Sequence, residues 1–137
     1  MSVREMTIGD YDAVIKLWEN TPGIGLSEAD SQENIAKFLE RNAGLSFLAE
    51  TENAVVGTIL CGHDGRRGFI YHLVVKDKLR HKGLGKGLVA KCLALLEEDG
   101  IEKCHLFVFN NNDIGISFWD KVGWTKRDDL LVFSKRV

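Results

Sequence analysis

The feature that most constrains this chain is a join. An apolar strand, Gly68 to Val75, passes through a short basic loop into glycines that open a long helix. Leu84, Leu88, Cys92, Leu95 and Leu96 recur at helical spacing from Gly83 to Asp99, and Gly100 stops the run. Glycine at 83 and 85 lets an anion approach the backbone with no Cβ in the way. The first helical turn leaves N–H groups without partners, and the helix dipole adds positive character there. The join is therefore an anion site suited to phosphate. Charge agrees: from Lys76 to Lys91 six Lys or Arg face one acid, Asp77, in a chain whose net charge is −2. Such a concentration favours a polyanionic ligand.

The remaining periodicities place this join in a mixed α/β chain. Ser2 to Thr7 alternates as a strand. Gly9-Asp10 starts a helix with an apolar face of Tyr11, Val14, Ile15, Leu17 and Trp18. Ser27 with Asp30 forms a capping pair for a second helix carrying Ile35, Phe38 and Leu39. Leu45 to Glu50 and Val55 to Cys61 read as strands, and Asp64-Gly65 is a hairpin dipeptide leading into Gly68 to Val75. Cys104 to Phe109 is a strand, and Asp113 caps a helix that Gly123 ends. Trp124 to Lys126 and Leu130 to Lys135 are read as a last hairpin. The expected fold is α/β (α+β): a mixed, mostly antiparallel sheet of six or seven strands with about four helices.

Size and composition remove other classes. At 137 residues the chain is expected to be one domain, 1–137, and 45% hydrophobic with 28% charged residues is ordinary globular composition. The longest uncharged apolar run, Ala54 to Cys61, is too short to span a bilayer, and the first residues carry no signal-peptide core. Three cysteines make no disulfide framework, so the cytoplasm is the expected compartment. The net charge of −2 argues against nucleic acid, and nothing points to a membrane partner.

Two phosphate signatures fail on spacing. A P-loop needs Ser or Thr after Gly-Lys, but Gly85-Lys86 is followed by Gly87. A dinucleotide loop needs a third glycine where Leu88 stands. What remains, Arg80-x-x-Gly83-x-Gly85, resembles the Gln/Arg-x-x-Gly-x-Gly/Ala signature of the GNAT acetyltransferase superfamily. Asn112-Asp113-Ile114-Gly115-Ile116-Ser117-Phe118-Trp119-Asp120-Lys121-Val122-Gly123-Trp124 resembles that superfamily's second motif, in the right order, and the element order agrees over the whole chain. The ending from Asp128 to Arg136 looks most like small single-domain bacterial members.

The resemblance implies an acetyl-CoA-dependent N-acetyltransferase with no metal. The strand Leu73-Val74-Val75 would offer main-chain groups to the pantetheine amides, as an added strand does. Arg80, His81, Lys82, Gly83, Leu84, Gly85 and Lys86 would cradle the pyrophosphate. Asn112 would reach the cofactor arm, and Phe118 and Trp119 would line its thiol end. Leu73 or a neighbour is expected to supply an N–H to the developing oxyanion. The partner implied is an amine on a small molecule or peptide, and a homodimer stays open. Core strand is the plainer role of Leu73 and Val75, and both roles can hold.

The chain departs from the family at Trp119, where the usual acid is tyrosine. An indole N–H is no useful proton source, although a thiolate whose conjugate acid has a pKa of about 8.5 departs with little help. Tyr71 is the alternative acid, read as lying on the same strand face as Leu73, two residues on. Candidate bases are His72, His63, Asp64, Glu28 and Asp30. His72 is expected to point away from Leu73 unless a bulge turns it, with a structural histidine as the plainer reading. Arg66 and Arg67 can grip a substrate carboxylate or simply be a solvated hairpin tip. Cys104 and His105 face opposite ways and cannot chelate together; Cys61 and Cys92 share no metal spacing with them. Trp18, Phe38 and Phe47 read as core. With no cysteine near the motif, direct transfer to the amine is expected. A non-catalytic acyl-CoA-binding module is the competing reading, motivated by Trp119 and the missing obvious base.

Overall fold

A computed structural model describes residues 1–137. Strands β1 (Ser2–Glu5), β2 (Phe47–Glu50), β3 (Val55–His63), β4 (Gly68–Val75) and β5 (Cys104–Leu106) form one sheet. The helices are α1 (Tyr11–Glu19), α2 (Gln32–Arg41), α3 (Leu84–Glu98) and α4 (Asp113–Lys121). The strands lie in the order β1-β2-β3-β4-β5, antiparallel except for the parallel pair β4–β5. By contact density the chain divides into two compact units, Met1–Phe107 and Val108–Val137.

In the first unit both sheet faces are covered, as the apolar runs of β3 and β4 require. Val14, Leu17 and Trp18 of α1 and Ile35 of α2 pack with Leu48, Leu60 and Val74 on one face. Gly57 and Gly68 on the other face leave room for Leu84 and Leu96 of α3. A Cβ on Gly68 would stand 2.8 Å from the Leu96 side chain. Trp18 and Phe47 are buried and Phe38 is partly so.

Local signals explain the element ends. Asp64 Oδ1 accepts from the backbone N–H of Arg66 and Arg67 at 2.8 and 2.9 Å, which closes the β3–β4 hairpin. The Ser27–Asp30 capping box is present. It closes a single 3₁₀ turn at Glu28–Asp30, and α2 starts later, behind its own cap Ser31. The reason is local: Ser31 is extended, with ψ 158°, and breaks the helical path.

In the second unit Asn112 caps α4. Its Oδ1 accepts from Gly115 N–H at 3.0 Å, where Asp113 was expected to serve. Gly123, at φ +92°, ends the helix. The expected last hairpin does not form, so the sheet has five strands and not six or seven. Trp124 N–H donates back to the Trp119 carbonyl at 3.0 Å and its ring packs on Trp119, so this stretch is spent on the helix end. Beyond it, Arg127 forms a fork with Asp129, and Leu131 and Phe133 are exposed.

Candidate active site

The anion loop is built as the sequence suggests. Gly83 is the N-cap of α3 at φ +86°, a conformation that glycine adopts freely, and nothing lies within 4 Å of the place its Cβ would take. The first helical bond runs from Gly87 N–H to the Gly83 carbonyl at 2.9 Å. No N–H from His81 to Lys86 has an acceptor in the protein. These donors lie at a basic helix start with no acidic residue in the first turn of α3. That is the donor set a phosphate ester needs. Arg80 is pinned beside it: Nε donates to the Val75 carbonyl at 3.0 Å, and the guanidinium pairs with Asp77 at 2.8 Å.

Next to this loop β4 has a free edge. Strand β5 pairs only with Gly68, Phe69 and Ile70. Lys76 N–H donates to the Val56 carbonyl toward β3. By alternation, Val75 and Leu73 turn their main-chain groups to the opposite side, where no strand pairs with them. An extended chain carrying amides can dock there as an added strand would. Arg80 already occupies one lone pair of the Val75 carbonyl. A cleft of about 400 Å³ shares Lys82, Gly83 and Leu84 with the loop and is walled on its other side by Met1 and Val3, so it opens on the β1 side of α3.

The β4 backbone carries the main surprise. Thr58 pairs with Val74 and Leu60 with Tyr71, so His72 and Leu73 together stand opposite Ile59. This is a β-bulge, with His72 at φ +48°. The extra residue reverses alternation beyond it. Val75 faces the α3 side with its partner Gly57, and Leu73 shares that side. Tyr71 faces the other way, its ring 6.0 Å from that of Phe38 in α2. The expectation that Tyr71 and Leu73 share a face is therefore wrong, because an inserted residue cannot be read from period-two alternation. His72 does point away from Leu73, and its ring lies 4.6 Å from Trp18 of α1. The bulge thus brings Tyr71 and His72 to one side of the sheet.

On that side His72 Nε2 lies 2.7 Å from Asp30 Oδ1, with both side chains mostly buried. Burial, followed by the neighbouring Cys104 thiol, pushes the Tyr71 phenol above its ordinary value, so it keeps its proton at neutral pH. Phe69 stacks on Tyr71 at 6.2 Å and touches Phe107 at 6.1 Å, which continues an aromatic stripe along the strand. The other base candidates lie elsewhere. His63 pairs with Asp99 at 3.1 Å at the hairpin end of β3, and Asp64 is occupied closing that hairpin. Arg66 and Arg67 sit on the same tip, and Arg67 bonds the Arg66 carbonyl.

The cysteines are unsuited to attack. A hydrogen bond to Cys92, then burial, raises the Cys61 thiol far above its usual range, and burial raises Cys104 to about 12. In the second unit Trp119 packs edge-on against Phe118 at 5.0 Å and Trp124 at 4.9 Å. Asn112 spends its carbonyl oxygen on the α4 cap. Sequence reasoning weighed Asp30 alone and missed its pairing with His72. The only signal was the Ser27–Asp30 spacing, which marked a turn but not what the turn reaches.

Comparison with known proteins gives a consistent picture. The profile of the acetyltransferase (GNAT) family matches residues 11–124. The chain is 33% identical over 142 positions to "Acetyltransferase plu1384" of Photorhabdus laumondii, covering 100% of this chain and 96% of that one. Among solved structures it is similar to the PaiA N-acetyltransferase of Thermoplasma acidophilum in complex with coenzyme A, at TM-score 0.80 and 23% identity. That match covers 93% of this chain and 91% of the other. It is also similar to the aminoglycoside 6'-N-acetyltransferase AAC(6')-IG of Acinetobacter haemolyticus, at TM-score 0.80 and 15% identity over 100% and 99% of the two chains.

Proposed function

The chain belongs to the GNAT acetyltransferase family, and on that premise we propose that it moves an acetyl group from acetyl-CoA directly to a primary amine. The observation that carries the proposal is the run of unpartnered N–H groups from His81 to Lys86, beside the free edge of β4. The solved relative in complex with coenzyme A supports the choice of cosubstrate.

Acetyl-CoA would supply an activated thioester; the chain's own residues bind, orient and move protons. His81, Lys82, Gly83, Leu84, Gly85 and Lys86 hold the pyrophosphate, with Arg80 anchored to β4 beside them. Leu73, Val74 and Val75 supply the strand, and Leu73 and the Val75 N–H present its free main-chain groups, the Val75 carbonyl being shared with Arg80. Asn112, Phe118 and Trp119 are assigned to the cofactor arm and thiol end by the motif they match. Tyr71 hydrogen-bonds the departing sulfur. Burial raises its phenol above the ordinary tyrosine value, which already lies above that of a thiol (about 10 against about 8.5), so full proton transfer runs uphill, and Tyr71 acts chiefly as a donor. His72 is the base toward the amine. The protonated thiols of buried Cys61 and half-buried Cys104 favour direct transfer over an acyl-enzyme. We take residues 1–137 as one catalytic domain working in the cytoplasm, with a homodimer as a further option.

An assay of free thiol release from acetyl-CoA over a panel of amino acids, polyamines, aminoglycosides and peptide amines tests this. Turnover with at least one amine is expected; background release with every amine would overturn it. One observation favours a second reading, an acyl-CoA-binding module without catalysis: an indole stands where the family carries its acid, enclosed by Phe118 and Trp124. Thermal stabilisation by acetyl-CoA with no turnover would select it.

A further inference from the structure

His72 is held by more contacts than a structural histidine needs. Its backbone sits at φ +48°, in a region that a β-bearing residue enters only when its surroundings impose it. The imposing contacts are specific. Thr58 Oγ1 donates to the His72 carbonyl at 2.9 Å, and Trp18 Nε1 donates to the same Thr58 oxygen at 2.9 Å. The Trp18 ring then packs against the imidazole. From the far side, Asp30 Oδ1 meets Nε2 at 2.7 Å.

Asp30 is itself fixed by groups on either side of it. Its Oδ2 accepts from Ser27 N–H at 3.0 Å, and its carbonyl accepts from the Tyr11 hydroxyl at 2.7 Å. Asn34 Nδ2 donates to the Glu28 carbonyl at 2.8 Å and ties the turn to α2. The turn therefore presents one carboxylate oxygen to one ring nitrogen. An ionised carboxylate can only accept, so this contact puts the ring proton on Nε2 and the lone pair on Nδ1. Nδ1 has no hydrogen-bond partner in the protein, and no buried side-chain nitrogen or oxygen is unpaired; Nδ1 thus reaches solvent on the side that Tyr71 faces.

We propose that Asp30 is a positioning residue that fixes the His72 tautomer, so that Nδ1 is the base toward the acceptor amine. The proposal rests on the acetyl-transfer reading. As the amine nitrogen forms its bond to the acetyl carbon, Nδ1 takes one proton from that nitrogen. The thioester C–S bond breaks, its electron pair leaves with sulfur, and solvent protonates the thiolate. The imidazolium so formed lies against the Asp30 carboxylate and then returns its proton to water.

Two measurements test this. The first is the ¹⁵N spectrum of the His72 ring in the wild-type protein, above its titration. A protonated Nε2 and a pyridine-like Nδ1 are expected; a neutral ring protonated at Nδ1 would overturn the proposal without any variant. The second is Asp30→Asn, which keeps an oxygen for the Ser27 cap. We expect kcat to fall at least tenfold, with little change in acetyl-CoA affinity or amine KM, and Asp30→Glu to recover part of the loss. A folded Asp30→Asn protein with wild-type kcat would overturn the proposal. If amines are acetylated but the proton sits on Nδ1, only the role of Asp30 fails. If Nε2 carries the proton and no amine is acetylated, the acetyl-transfer reading fails and takes the role with it.

Discussion

Gly83 and Gly100 form a matched pair at the two ends of α3. Both have left-handed φ, +86° and +80°, and both face open space where a Cβ would stand. Replacing either with alanine imposes the same backbone penalty, about 1–2 kcal/mol, because an L-residue is unfavourable in that region. With an unfolding entropy of about 0.3 kcal/mol/K for 137 residues, each variant should melt about 3–7 °C lower. The two should part company on adding acetyl-CoA. At about 100 times the wild-type Kd, ligand adds about 2.7 kcal/mol, or roughly 9 °C. The Gly100→Ala protein should keep that full shift, since Gly100 only closes the helix end. The Gly83→Ala methyl would project beside the N–H groups of Leu84, Gly85 and Lys86. A tenfold loss in affinity would leave about 1.4 kcal/mol, or roughly 5 °C. Differential scanning fluorimetry with and without acetyl-CoA reads both quantities. Equal ligand-induced shifts in the two variants would refute the assignment of the helix start as the phosphate cradle.

Tyr71→Phe should lower kcat by at least about threefold while acetyl-CoA affinity holds, because a hydrogen bond made chiefly in the transition state adds little to ground-state binding. Steady-state kinetics beside calorimetric binding separates the two, and an unchanged kcat removes Tyr71 from the mechanism. The Arg4 guanidinium, hydrogen-bonded to Asp10 at 2.8 Å, holds that carboxyl below its usual value. The folded pKa is lowered, so this stabilisation is present above the unfolded pKa of about 3.9 and is lost as pH falls through the folded one. Arg4→Gln should flatten that part of the acid-stability profile, followed by circular dichroism. A profile that still falls as in wild type contradicts the pairing.

Sequence reading succeeded where the cause of structure was local. The Asp64-Gly65 hairpin, the β4 boundaries and the helix opening at Gly83 all rest on residues a few positions apart, and each formed where expected. The bulge at His72 escaped because no glycine marks it. Its φ is imposed by Thr58 and Trp18, which are distant in the chain. For the same reason the partner of His72 could be proposed as a separate candidate but not joined to it: Asp30 lies 42 residues away. The last hairpin failed differently. Leu130 to Phe133 is a continuous apolar run, but such a run shows only that a strand would fit, and Trp124 is committed to the end of α4.

The sheet order, in which each strand neighbours the next in sequence, also sets the order in which the molecule can fold. Strands β2, β3 and β4 are joined by tight turns and can zip together from local collisions alone. The β1–β2 and β4–β5 pairings must close loops about ten and about seven times longer, which adds about 2 kcal/mol of closure entropy to each. On loop-closure entropy the meander that contains His72 is expected to form first, with Trp18 and Asp30 arriving with the elements that bridge β1 to β2. During that interval the residue at the bulge has neither its indole wall nor its carboxylate, and its backbone is free to leave the left-handed region. The imidazole acquires its orientation only in the closing stage of folding, when the intervening helices dock.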